Sequence, residues 1–90
     1  MLAKKNVRQG VRIALTRTSP QLQCTVNGGD TGYITHDCIG TINIRRYSDR
    51  YLIAFAEYDD GRIKYLGDTL DGKKWHYNDD TLKKFKIVSE

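Results

Sequence analysis

Apolar and polar residues alternate with period two in two stretches of the chain. In Val11-Arg12-Ile13-Ala14-Leu15 the odd positions are apolar, and in Ile42-Asn43-Ile44-Arg45 the even ones are. Each stretch can bury one face and hydrate the other, as a β-strand does. Tyr51 to Tyr58, YLIAFAEY, is apolar on both faces and reads as a central strand. Asp59-Asp60-Gly61 then supplies the left-handed backbone positions of a tight hairpin before Arg62-Ile63-Lys64-Tyr65-Leu66. Tyr47-Ser48-Asp49-Arg50 makes a second short turn, between a strand starting near Ile39 and the one starting at Tyr51, so a three-strand meander is predicted.

Around this meander the pattern is weaker. Residues 16 to 38 hold one proline, several threonines and Asn27-Gly28-Gly29, which predicts a long excursion without regular structure. Residues 67 to 78 read as a second polar loop. Asp79-Asp80-Thr81-Leu82-Lys83 has the form of a single helical turn capped by an aspartate, ahead of a last strand at Phe85-Lys86-Ile87-Val88. The expected architecture is all-β, with Val11, Ile13, Ile42, Ile44, Ile53, Phe55, Ile63 and Ile87 in the core.

Ninety residues with 39% hydrophobic content fit one domain, near the size at which a single core is only just sufficient. No apolar run approaches the roughly 20 residues of a membrane helix, and MLAKKNVRQG has no apolar stretch behind its charges to make a signal peptide. Two cysteines are too few for a disulfide scaffold, so a reducing, cytoplasmic setting is expected. Fifteen Lys and Arg against eleven Asp and Glu leave a net charge of +4, which points toward an acidic partner such as nucleic acid.

Asp30-Thr31-Gly32 is the tripeptide that carries the catalytic carboxylate of aspartic proteases. In those enzymes it ends a buried strand, so that two carboxylates from two halves can share a proton. Here the preceding residues are Asn27-Gly28-Gly29, without the apolar anchors such a strand needs. The three glycines and Asp30 read instead as a turn delivering Tyr33 and Ile34 to the start of the meander. Cys24, His36, Cys38 and His76 lack paired Cys-x-x-Cys spacing, so no metal is expected. Nothing marks a third group to orient His36 against Cys38 as a nucleophilic pair. No catalysis and no cofactor are expected.

The order of a first strand, a long loop, a tight meander, a one-turn helix and a short last strand resembles the SH3-like barrels over about residues 7 to 88. Gly10-Val11-Arg12-Ile13, Ile39-Gly40-Thr41-Ile42, Tyr51-Leu52-Ile53-Ala54-Phe55 and Leu82-Lys83-Lys84-Phe85-Lys86-Ile87 carry the resemblance, the second being similar to the Gly-x-hydrophobic step of KOW and Tudor-like domains. It implies a small barrel of about five strands with one short helical turn before the last strand. In that reading Gly40 permits a strong strand bend. It also implies a binding module for nucleic acid or protein, and some viruses use small versions against host machinery.

With Val11, Ile13, Ile42 and Ile44 inward, Arg12, Arg45 and Tyr47 face outward, and Arg46 and Arg50 flank the next turn. Lys73-Lys74-Trp75-His76-Tyr77 adds a loop of the same chemistry. Arginine and aromatic side chains interleaved on a curved sheet can bind phosphates and stack on bases. Arg12, Arg45, Arg46, Tyr47, Arg50, Lys73, Lys74 and Trp75 are therefore the expected contacts to nucleic acid. The alternative is a protein-interaction module that docks through the same residues on a host or cellular protein of the transcription or nucleic-acid-processing machinery; a purely structural reading has Arg45, Arg46 and Arg50 keeping a sheet edge soluble and Trp75 capping the end of the barrel.

Overall fold

A computed structural model describes residues 1–19 and 21–90. Eight strands form one antiparallel sheet: β1 (Arg12–Leu15), β2 (Leu22–Thr25), β3 (Thr31–Ile34), β4 (Gly40–Arg46), β5 (Leu52–Glu57), β6 (Ile63–Thr69), β7 (His76–Tyr77) and β8 (Phe85–Ser89). The spatial order is β3-β2-β6-β5-β4-β1-β8, with β7 pairing off β6. The class is all-β, as the alternation predicts, but the sheet does not close and has eight strands rather than five.

The added strands lie where loops were expected. Leu22 and Cys24 alternate with polar neighbours on β2, whose pairing with β3 makes a hairpin from the stretch expected to be irregular. Gly28 and Gly29, both at positive φ, form its turn. Tyr33 and Ile34 therefore lie on a sheet edge and do not lead into the meander. His76 and Tyr77 pair with Asp68 and Gly67 to make β7 inside the second expected loop.

The meander β4-β5-β6 has the expected turns. Gly61, at φ +92°, donates its N–H to the Tyr58 carbonyl at 3.0 Å, and Tyr47 donates to the Tyr51 carbonyl at 2.8 Å. A single turn of helix, α1 (Asp79–Leu82), precedes β8, and its cap is Asn78, whose side chain accepts from the Thr81 N–H at 3.2 Å. Asp79 and Asp80 occupy its first turn instead of capping it.

The core differs from expectation in phase. Val11, Ile13 and Ile42 are buried, and Ile44 and Ile87 pack partly against them. On β5, however, Ala54 and Ala56 are the buried residues, while Ile53 and Phe55 are only half-buried, as is Ile63 on β6. The inner side is tight at two neighbouring glycines. A Cβ on Gly40 would stand 2.8 Å from Cζ of Tyr58, and one on Gly67 would stand 2.7 Å from the His76 carbonyl oxygen. Gly40 thus makes room for the Tyr58 ring, where a strand bend was expected. Ala54 pairs with Gly67 and Phe55 with Tyr65, leaving Leu66 as the extra residue of a bulge, fully buried.

The interior is filled from outside the meander: Leu15 on β1, Ile34 on β3, Leu82 on α1 and Phe85 on β8 are all buried. Leu2 joins them and donates its N–H to the Leu82 carbonyl, so the core reaches beyond the 7–88 span of the resemblance.

Phe85 is 0% exposed, so Phe85→Ala is expected to cost about 3–5 kcal/mol. Phe55→Ala is expected to cost clearly less, because its ring keeps contact with water. Denaturant midpoints of the two variants check the order, and a larger loss for Phe55→Ala would contradict the inward phase of Ala54 and Ala56. Gly40→Ala, which drives a methyl into the Tyr58 ring, is expected to lose about 1–3 kcal/mol by the same measurement.

Candidate nucleic-acid interface

Cross-strand partners share a face of the sheet, so the registers define the outer surface of the meander. Asn43 lies opposite Phe55, which lies opposite Tyr65; Arg45 opposite Ile53, opposite Asp68; Thr41 opposite Glu57, opposite Ile63. Arg12, opposite Thr41, joins the same face. The residues displaced from the core by the small inner positions thus form an outward cluster of Ile53, Phe55 and Tyr65, the last 41% exposed.

Arg45 faces outward as expected, but it is not free. Its guanidinium pairs with Glu57 and lies 5.7 Å from the Phe55 ring centroid. Tyr47 and Tyr51 continue the aromatic row toward the β4–β5 turn, their ring centroids 5.7 Å apart. Burial raises the Tyr65 phenol above its ordinary pKa, and the neighbouring Asp68 carboxylate and Tyr51 add to the shift.

The other expected contacts gather at the end of the sheet where the β4–β5 turn meets the β6–β7 loop. A Cβ on Gly72, at φ +77°, would meet the Arg50 Cα and carbonyl oxygen at 3.6 Å, so the two backbones lie in close contact. This brings Arg46, Arg50, Lys73 and Lys74 to one end. Among the described residues none of these four forms a salt bridge, and all four are exposed. Arg46 donates to the Asp49 carbonyl at 3.0 Å.

Asp71 shapes the loop that holds the two lysines. One carboxylate oxygen accepts from the Lys73 N–H at 2.8 Å, the Lys74 N–H at 2.9 Å and the Thr69 hydroxyl at 3.0 Å. Thr69, buried, also accepts from the Gly72 N–H at 3.1 Å. The backbone N–H groups of Lys74 and Lys73, then the Thr69 hydroxyl, hold the Asp71 carboxyl down at about 2. It stays ionised at neutral pH and is held within its own loop by these hydrogen bonds. Trp75 stacks on Tyr77 with ring centroids 5.8 Å apart and packs partly against the core, so it anchors this loop and offers little free ring face.

On the opposite flank, Arg62 holds the β2–β3 hairpin to the meander. It pairs with Asp60, donates to the Tyr33 carbonyl at 2.7 Å and to Cys38 Sγ at 3.6 Å, and lies over the Tyr58 ring at 5.4 Å. The Thr35 hydroxyl lowers the Cys38 thiol pKa against an opposing effect of burial, with Arg62 adding to the lowering, whereas burial raises that of Cys24. Both cysteines are free. Asp30 is exposed at the end of the Gly28-Gly29 turn. Among the described residues, no group of three or more His, Cys, Asp or Glu is placed to hold a metal ion, and no helix is long and apolar enough to cross a membrane.

Sequence reasoning missed Phe55, Tyr65, Tyr51 and Ile53 as surface residues. The signal that could have found them is the spacing of Ala54 and Ala56, two small residues on one face of a strand whose other face is large. Compared with known protein families, curated proteins and solved structures, the chain matches none.

Asp71 generates a pH prediction. Its carboxyl is near 3.9 in an unfolded chain and about 2 in the folded one. The order it gives the loop is therefore complete above pH about 4 and is lost as pH falls through about 2. The Lys73 and Lys74 amide resonances are expected to move over that range, and in Asp71→Ala to show their acid positions already at neutral pH. Unchanged amide positions in Asp71→Ala would refute this role.

Proposed function

We propose that this protein is a non-catalytic binding module whose partner is nucleic acid, engaged first through the end of the sheet formed by the β4–β5 turn and the β6–β7 loop. The observation that carries the reading is the junction at Gly72, which brings Arg46, Arg50, Lys73 and Lys74 together, none of them in a salt bridge among the described residues. Cations left unpaired on one surface attract phosphates and release counterions from them on binding. The protein's net charge of +4 acts in the same direction. Arg45, already paired with Glu57, contributes less to this attraction than its exposure indicates.

The sequence of β1, a hairpin, the meander, one helical turn and β8 supports kinship with the SH3-like class, in which such modules are common, here in an open sheet enlarged by β2, β3 and β7. Fold alone does not select a partner, so the reading rests on the charges. We place the protein in the cytoplasm, where its two free cysteines stay reduced. The second reading, docking on an acidic protein surface, is favoured by the same four cations.

Binding to a labelled oligonucleotide, followed by anisotropy, is expected to weaken steeply with salt. Four phosphate contacts give a logarithmic slope of about 3 to 4. Reversal of Arg46, Arg50, Lys73 and Lys74 to Glu is expected to abolish binding while the fold persists, and reversal of Lys4 and Lys5 to change it little. No salt-dependent binding by the parent protein, with a protein partner captured from nuclease-treated lysate, would transfer the assignment to the second reading.

A further inference from the structure

The outer face of the meander is continuous with the basic end, and its composition bears on which form of nucleic acid fits. From the β4–β5 turn the row runs through Tyr47 and Tyr51 to Tyr65 and Phe55, flanked by Ile53 and Arg45. A duplex presents phosphates on its outside and hides the faces of its bases, so it has no use for such a row. A single strand exposes base faces that stack on aromatic rings with little regard to sequence.

The charges on this face divide accordingly. Arg45 and Glu57 neutralise each other, and Asp68 lies beside Tyr65. Among the described residues the unpaired cations stand at the margins of the row, with Arg46, Arg50, Lys73 and Lys74 at one end and Arg12 near the other. Beyond Arg45 and Glu57 lies a cleft of about 310 Å³, whose other wall is the Gly28-Gly29 turn. An aromatic, nearly neutral centre with cationic margins matches a chain whose neutral bases lie inward and whose phosphates lie outward.

Resting on the nucleic-acid reading above, we infer that the ligand is single-stranded, with its bases stacked on Tyr65 and the Tyr47–Tyr51 pair and its phosphates held by Arg50, Lys73 and Lys74. The rings that give this face its apolar character stand outward because Ala54 and Ala56 take the inward positions of β5. One strand phase thus supplies both the core and the stacking platform.

The test compares an oligothymidylate with a duplex of equal length, by anisotropy at several salt concentrations, for the parent, Tyr65→Phe, Tyr65→Leu and the four-residue charge reversal. The single strand is expected to bind more tightly than the duplex. Tyr65→Leu, which keeps apolar area but loses the ring, is expected to lose about tenfold for the single strand with an unchanged salt slope, and Tyr65→Phe is expected to bind as the parent does. Matched denaturation midpoints for the two Tyr65 variants exclude loss of fold as the cause. Equal or tighter duplex binding, or an unaffected Tyr65→Leu, overturns the single-strand assignment while leaving the nucleic-acid reading in place. Absence of salt-dependent binding to either oligonucleotide overturns both.

Discussion

The narrow inner side of the β4-β5-β6 meander decides the rest of the structure. Gly40, Ala54, Ala56 and Gly67 all face it, and at Gly40 and Gly67 one more carbon would collide with the Tyr58 ring or the β7 backbone. With Ala54 and Ala56 inward beside Ile42 and Leu66, Ile53 and Phe55 turn outward, and the interior is completed by Leu2, Leu15, Leu82 and Phe85. Close packing makes such an arrangement sensitive to single methyl groups in either direction. The large side chains of β5 instead give the meander an apolar outer surface built on strands.

Two polar devices then fix what surrounds the meander. At one flank Arg62 spans three segments, binding the Asp60 carboxylate, the Tyr33 carbonyl and the Cys38 sulfur while lying over Tyr58. A planar fork can satisfy several acceptors at once, which a lysine ammonium at that position would do with less geometric definition. At the opposite end Asp71 organises a loop by accepting three hydrogen bonds on one oxygen. Its carboxylate holds the backbone beneath Lys73 and Lys74, so the side chains of those lysines extend from an ordered base.

The sequence made the all-β class legible because β1, β4 and β8 each carry a one-sided alternation, and the hairpin turns because Asp59-Asp60-Gly61 and Tyr47 to Arg50 are short and polar. It did not reveal the phase of β5, since YLIAFAEY is apolar on both faces and alternation has nothing to distinguish there. The β2–β3 hairpin was hidden for a different reason. Its strands are four residues each, with Gln23, Thr25, Thr31 and Gly32 among them, and they are held by a pairing with β6 and by Arg62, contacts distant in sequence. The basic residues were correctly placed at the surface, yet their grouping was not visible. The contact of Gly72 with Arg50 joins two loops more than twenty positions apart, and the Arg45–Glu57 pair shows that Arg45 is already engaged.

The pairing of β1 with β8 has a kinetic side. β1 lies between β4 and β8 in the sheet, and Leu15 pairs with Phe85 across seventy positions of sequence. During synthesis the meander can form as soon as β6 emerges, from contacts that are local in sequence, and β1 can add to β4 soon afterwards. The cavity that Phe85 and Leu82 fill stays open until the last strand arrives. A nascent chain therefore waits with Ile13, Leu15 and Ile42 uncovered along one margin until β8 has been made.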